Sequence, residues 1–227
     1  WDTINSEFYI FYFKDNLKYI LQPYEYGKQY IENILGPVNK WDVSNVRDMS
    51  DLFEGLNRFN EKIVDWKVDN VTDMKQMFNG ANAFNQDISL WKVDNVTDMK
   101  QMFNGANAFN QDISTWKVDN VTDMEELFRD AYVFNYNLTK WNVSKVTNMQ
   151  GMFREARAFN QSILNWDVSN VTDMSYMLYN ATDFVQSLNK WKEDEVLKSD
   201  TKLDYMFSGL EKIKILFPLI IEDPVHD

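Results

Sequence analysis

The residues best suited to chemistry are aspartates that recur every 25 residues. The series comprises Asp48, Asp73, Asp98, Asp123 and Asp173. Stacked carboxylates could bind calcium, because carboxylate oxygens are ligands that this ion prefers. Each of these residues also follows an asparagine by three positions, as Asn70 precedes Asp73, which is the spacing of a helix N-cap and its acidic partner. We therefore favour helix capping and predict no metal site.

A second series places tryptophan on the same period. Seven of the eight tryptophans are spaced 25 residues apart, at Trp41, Trp66, Trp91, Trp116, Trp141, Trp166 and Trp191. Exposed rings would form a surface on which sugars stack, whereas rings that recur beside valine and isoleucine are typical of a core. We predict that the tryptophans, and the methionines that recur with them, are buried.

Residues that support catalysis are scarce in this chain. It has no cysteine, and its single histidine is His226, so it offers neither a thiol nucleophile nor a histidine-based triad. The pairs at 79–80 and 104–105 are Asn-Gly, which is typical of turns and not of a phosphate-binding loop. We predict no catalytic residues, no cofactor and no enzymatic activity.

The charge of the chain excludes several classes of partner. The 227 residues include 35 acidic and 23 basic side chains, which gives a net charge of −12. Nucleic acid and anionic lipid surfaces would be repelled by this charge. The longest apolar runs, at 8–13 and 213–221, are too short or too interrupted to span a bilayer. We predict no nucleic-acid partner and no direct membrane insertion.

The 25-residue period also predicts the structural elements. In the second unit, Met74, Met77, Phe78 and Ala81 follow the i, i+3, i+4, i+7 spacing of a short helix that faces a core. Residues 86–93 are few and rich in β-forming types, which indicates a strand. One helix and one strand per unit predict an α/β repeat solenoid of the leucine-rich-repeat (LRR) type, with a parallel sheet on one side.

Both ends depart from the repeat and are predicted to be caps. The predicted domains are an N-terminal helical cap at 1–40, a solenoid of 25-residue repeats at 41–195, and a degenerate last repeat with a C-terminal cap at 196–227. Helices are predicted near 14–21 and 25–35, on either side of Pro23.

The last unit differs from the others in length. Val196 and Leu203 lie seven residues apart where earlier units have three, which indicates a four-residue insertion. Residues 203–213 then return to helical spacing, and 217–221 are a candidate last strand.

An asparagine follows the second phenylalanine of successive units. These residues are Asn60, Asn85, Asn110, Asn135 and Asn160. They are predicted either to turn the chain or to form a stacked ladder of amides along the repeat.

The full unit carries a family resemblance. The pattern W-[DN]-V-S-N-V-T-D-M-x-x-M-F-x-x-A-x-x-F-N-Q-x-[IL] is legible at 166–188 and 41–63, and it resembles the repeat of BspA-like LRR proteins. These proteins occur among mycoplasma lipoproteins and the surface proteins of lactobacilli, and also in giant viruses. The resemblance covers about residues 41–213 and departs in the last unit at Glu193, Glu195 and Ser199. It implies an LRR-like fold and a surface role in adhesion, with no catalytic residues.

Positions that vary between units are the candidates for contact with a ligand. On the predicted strand side they form a largely uncharged face. The candidate ligand-binding residues are Gln86, Ser89, Gln111, Ser114, Tyr136, Thr139, Gln161 and Gln186.

The sequence therefore predicts a non-enzymatic repeat protein at the cell surface. Its expected partner is a protein or glycan on another cell or in an assembly, and its expected location is extracellular. The alternative is a structural virion component of a giant virus, which packs against other capsid or surface subunits.

Overall fold

The protein is a stack of 25-residue coils with a helical hairpin at its N-terminal end. The structure, a computed structural model, describes residues 14–193 and 197–211. The α-helices of this part are α1 (Lys14–Leu21), α2 (Tyr24–Leu35) and α3 (Asn189–Glu193), and a 3-10 helix spans Val38–Lys40. Within the same residues, no helix is long and apolar enough to cross a membrane.

The segment of each coil predicted to be a helix is a row of consecutive turns. The backbone N–H groups of Gln76, Phe78 and Gly80 donate to carbonyls of the next coil at 2.7–2.9 Å. The N–H groups between them donate to carbonyls three residues back within the same coil. Gln76 and Gly80 have φ angles of 55° and 70°, which no α-helix can contain. The predicted helix in each unit is therefore wrong.

The turn row buries the same side chains that a helix would bury. Met74, Met77, Phe78 and Ala81 are all fully buried. Turns that close every three residues have nearly the same period as a helix. Residues at positions i, i+3, i+4 and i+7 therefore lie on one face in both structures. The pattern identifies the core correctly but does not distinguish the two backbones.

The predicted strand is also absent. In residues 86–93, Ser89 and Leu90 form a turn, and the Ser89 N–H donates to Asp87 Oδ1 at 2.8 Å. Among the described residues, parallel pairing is limited to one isolated bridge between each pair of neighbouring coils, from Asp48–Asp73 to Asp173–Lys202. Residues 84–88 contain no turn, but the Asn85 N–H in this run donates to the side chain of Asn60 and not to a backbone carbonyl, so no strand ladder forms. The predicted LRR-like α/β solenoid with a parallel sheet is therefore wrong.

The tryptophans lie in the core, as predicted. In the coils from Trp66 to Trp166 each ring is 3% exposed, and its Nε1–H donates to a backbone carbonyl 28 residues earlier. Trp116, for example, donates to Ile88 O at 3.1 Å. Because the ring faces are covered, these tryptophans cannot form a surface for sugars.

Phenylalanines form two stacked columns through the coils. Phe103 lies 5.6 Å from Phe78 and 5.7 Å from Phe128 between ring centroids, and both pairs are parallel within 2°. Within its own coil, Phe103 stacks on Phe109 at 4.0 Å. Aromatic pairs of this kind contribute about 0.5–1.5 kcal/mol each beyond the area they bury. The columns therefore join each coil to both neighbours.

The N-terminal hairpin covers the first coil. Leu17, Leu21 and Ile31 are buried, and the Tyr24 ring meets Trp41 edge to face with a centroid distance of 6.2 Å. The chain leaves α2 at Gly36, whose φ of 72° suits a residue without Cβ. The two predicted helices of the N-terminal cap are confirmed.

The hydrogen-bond register confirms the four-residue insertion. The N–H groups of Met174 and Tyr176 donate to the carbonyls of Lys202 and Asp204, 28 residues later. The same bonds span 24 residues in earlier coils. The described part of the predicted helical stretch at 203–213 is again mainly turns, and the rest of it lies outside the described residues, as do 217–221 and His226.

Candidate functional site

The glutamines among the predicted ligand-binding residues join neighbouring coils, and we call Gln86, Gln111, Gln161 and Gln186 the glutamine column. Gln86 Nε2 donates to the backbone carbonyl and Oδ1 of Asn60 at 2.9 and 3.0 Å, and Gln111 Nε2 bonds Asn85 in the same way. Gln161 and Gln186 donate to the asparagine Oδ1 of the preceding coil at 3.0 and 2.9 Å. A ligand at this column would compete with bonds that hold the stack together.

The remaining predicted site residues lie beside that column. Ser89, Ser114 and Thr139 each begin a turn, and their backbone N–H groups donate to the Oδ1 of the Asp or Asn two residues earlier at 2.8–2.9 Å. Tyr136 replaces glutamine in the column and is 37% exposed. The eight residues therefore lie on successive coils, and ligand binding by them stays a prediction.

The asparagine series forms a ladder between coils. Asn85 N–H donates to Asn60 Oδ1 at 2.9 Å, and Asn110 N–H donates to Asn85 Oδ1 at 2.9 Å. The series continues through Asn135, Asn160 and Val185. The predicted ladder is confirmed, with side-chain oxygens bonded to backbone N–H groups.

The recurrent Asn and Asp pair does not cap a helix. Asn70 Nδ2 donates to Ser44 O of the preceding coil at 2.8 Å, and Asp73 Oδ1 accepts the Lys75 N–H at 2.9 Å. The capping prediction is wrong because the turn row has no helix terminus to cap. Within the described residues, no group of three or more potential metal-ligating side chains is present.

The aspartate series places like charges next to one another. Burial raises the pKa of Asp98 above its ordinary value, and the carboxylates of Asp73 and Asp123 in the adjacent coils raise it further. The Lys100 N–H bond to Asp98 acts in the opposite direction. The ionised form of Asp98 is therefore disfavoured in the folded stack.

Asp98→Asn is expected to stabilise the protein at neutral pH. Because the pKa of Asp98 is raised on folding, the contribution of Asp98 to stability is greatest below the unfolded-state pKa and declines as pH rises through the folded-state pKa. Asn148 holds the equivalent position one coil beyond Asp123 and accepts the same turn bond, from Gln150 N–H at 3.0 Å, so an amide preserves the geometry. Urea unfolding should show a gain of about 0.2–1 kcal/mol at pH 7 that disappears near pH 3. An equal gain at both pH values would contradict this explanation.

A group of three tyrosine rings and one guanidinium, of which Tyr205 is exposed and the others are half-buried, spans three coils near the C-terminal end of the described stack. We call Arg154, Tyr176, Tyr179 and Tyr205 the tyrosine–arginine patch. The Arg154 guanidinium carbon lies 5.2 Å from the Tyr176 ring centroid and 5.3 Å from that of Tyr179. Tyr176 stacks on Tyr205 of the next coil, with a centroid distance of 5.0 Å and an interplanar angle of 17°. The four side chains therefore form one continuous surface.

The turn row positions these side chains. Tyr176 and Tyr205 both occupy its first left-handed position, with φ angles of 60° and 55°. One coil earlier this position is Gly151, where an added Cβ would lie 3.7 Å from the Arg154 Cβ. The atom closest to such a Cβ would be the Glu126 Cγ, at 3.2 Å. Arg154 therefore starts beside a position without a side chain, and its guanidinium lies over the Tyr176 ring.

The electrostatic surroundings leave Arg154 as an unpaired cation. Within the described structure it makes no ion pair and no side-chain hydrogen bond, and its Nε is buried without a partner. The neighbouring cations are paired, because Arg157 bonds Glu155 at 3.3 Å and Lys202 lies 3.4 Å from Asp173. The patch therefore combines the exposed ring of Tyr205 with two half-buried tyrosine rings and one guanidinium that has no ion pair in the described structure.

The sequence predictions did not include this patch. The signal was a change of residue type at a fixed repeat position, since the position of Tyr179 holds Asn79 and Asn104 in earlier coils. The insertion displaces Tyr205 from the 25-residue lattice, so its equivalence to Tyr176 is hidden until the coils are superimposed by their hydrogen bonds.

The family comparison matches the repeat and the part of the N-terminal cap from residue 25 onward. The family described as "Mycoplasma protein of unknown function, DUF285" matches twice, at residues 25–132 and 112–216. The chain belongs to the DUF285 family. The two DUF285 matches overlap, as expected where one unit recurs, and the second contains the whole tyrosine–arginine patch. No curated protein matches this DUF285 chain.

Proposed function

We propose that this protein is a non-enzymatic, BspA-like surface protein that binds a protein or glycan on another cell through the tyrosine–arginine patch. The observation that carries the proposal is the exposure of Tyr205, which is 49% exposed and stacks on Tyr176. Elsewhere in the coils, the stacked tryptophan and phenylalanine rings are buried. The exposed Tyr205 ring is therefore not part of the buried core.

The composition of the patch suits recognition. Tyrosine and arginine are enriched among the residues that supply most binding energy at interfaces, because each combines a large flat surface with polar groups. The glutamine column offers fewer hydrogen-bonding groups to a ligand, because its amides are already bonded between coils. The patch is also formed on hydrogen-bonded turns, so little ordering is needed on binding.

A cell-surface location is part of the proposal. The family description names Mycoplasma, which is a cellular genus, and this favours the cell surface over a giant-virus virion. The non-enzymatic role rests on the sequence, in which His226 is the single histidine and cysteine is absent.

The test compares the two candidate surfaces by binding of the labelled chain to cultured mammalian epithelial cells. In the patch variant, each residue is replaced by the type that earlier coils carry at its position, so that the turns are preserved. The changes are Arg154→Asn, Tyr176→Gln, Tyr179→Asn and Tyr205→Gln. The control variant carries Tyr136→Ala, Thr139→Ala and Gln161→Ala in and beside the glutamine column.

We expect the affinity of the patch variant for the cells to fall at least about tenfold. This is the loss expected when one strongly contributing interface residue is removed. The control variant should bind like the wild type. The patch variant should unfold near the wild-type midpoint, and the control variant somewhat below it, because Gln161 loses its bond to Asn135. Loss of binding in the control variant alone, or no cell binding by the wild type, would contradict the proposal.

A further inference from the structure

The patch has one cationic group for a ligand, and it is Arg154. A guanidinium can offer two parallel N–H donors to a carboxylate. In the described part of the chain, Arg154 has no carboxylate partner, although the protein as a whole has a net charge of −12. Its contacts are the rings of Tyr176 and Tyr179. The terminal nitrogens of Arg154 are thus available to an external anion.

The rest of the patch is uncharged and suits a ring with many C–H groups. Aromatic faces carry negative potential and attract polarised hydrogens. Tyr205 offers an exposed ring, and the three phenol hydroxyls have no hydrogen-bond partner among the described residues. Hydroxyls beside ring faces can bind the two kinds of surface that a sugar presents, its C–H face and its hydroxyl edge.

The charges around the patch limit how many anionic groups a ligand can carry. Arg157 and Lys202, the nearest cations in sequence position, are already paired with Glu155 and Asp173. A ligand with several carboxylates would meet these acidic groups and the strongly negative chain without further cations to bind it. One carboxylate on a neutral ring is the chemistry that fits.

We propose that the tyrosine–arginine patch binds a glycan whose end sugar carries one carboxylate, with that carboxylate on Arg154 and the next sugar of the glycan against Tyr205, because the Tyr176 ring lies between these two groups. This inference rests on the proposed function and specifies its ligand. Sialic acid and uronic acid residues at the end of a glycan share this chemistry. An acidic peptide is the competing ligand that the test must exclude.

The test is calorimetric titration of the full chain with sialyllactose and with a disaccharide that ends in glucuronic acid. Each sugar is compared with its methyl ester, which removes the charge and leaves the ring unchanged. We expect at least one acid to bind, and its ester to bind about tenfold more weakly or worse, because the charged hydrogen bonds are lost. The ester comparison uses the wild-type chain, so it does not depend on the folding of any variant.

Two matched pairs of variants assign the contacts. Arg154→Gln should reproduce the loss seen with the ester, whereas Arg47→Gln, at an exposed arginine of the first coil, should bind like the wild type. Tyr205→Phe keeps the ring and should bind within about threefold of the wild type, whereas Tyr205→Gln should weaken binding by about tenfold.

Equal binding of acid and ester, no binding of either sugar, or tighter binding of a tetraglutamate peptide would overturn the inference. The cell-binding test separates this failure from that of the proposed function. If the patch variant loses cell binding while neither sugar binds the wild type, the surface is correct and only the ligand class is wrong.

Discussion

Deletion of residues 91–115 is expected to leave a folded protein that is one coil shorter. Units 66–90 and 91–115 are identical at 24 of 25 positions, so the shortened chain rebuilds the same contacts between the second unit and the coil that begins at Trp116. Stability in a stacked repeat is approximately a sum over units and their interfaces. We expect cooperative urea unfolding with an m-value lower by about a tenth, the share of the chain removed.

The matched control for this deletion removes half a coil, residues 91–102. Phe103 would then follow Leu90 directly and occupy the position of a tryptophan, and every later column would be out of register with the coils before it. We expect this chain to lose its cooperative unfolding transition and its near-ultraviolet circular dichroism. A half-coil deletion as stable as the full-coil deletion would show that the columns do not determine the fold.

Phe103→Ala is expected to be the most damaging single substitution considered. The Phe103 ring is fully buried and stacks on Phe78, Phe109 and Phe128, so truncation leaves a cavity that rigid neighbouring coils cannot fill. Replacements of this type cost about 3–5 kcal/mol. The measurement is urea unfolding followed by tryptophan fluorescence.

The chain supplies its own control for Phe103→Ala. Leu178 occupies the equivalent position three coils later and is fully buried there. Phe103→Leu should therefore cost less than about 1.5 kcal/mol, because leucine keeps much of the buried volume. Similar costs for the alanine and leucine variants would mean that packing in the column is not what stabilises the stack.

The core could be predicted from the sequence, whereas the backbone could not. Buried residues recur every 25 positions whatever path the chain takes between them, so the tryptophan lattice and the insertion near Val196 were predictable. The turn row was hidden because its positive φ angles lie at Gln76, Glu126 and Tyr176 as well as at glycines. Such residues give no sequence signal for the left-handed conformation.

The candidate site was harder to predict than the core. The glutamine column was chosen because its residues vary between coils, but variation does not show that Gln111 Nε2 is already bonded to Asn85. The tyrosine–arginine patch depends on a ring of one coil lying over the guanidinium of another. That contact joins a coil to the one that follows it, and only the stacked structure makes it visible.

The constant offset of the hydrogen bonds between coils has a kinetic consequence. From the first coil to the sixth, these bonds join residues 24 to 28 positions apart, wherever in the stack they lie. The chain entropy lost in closing each contact is therefore nearly the same for every neighbouring pair of coils. Folding can begin at any such pair and spread outward, and lengthening the array adds further steps without making any single step slower.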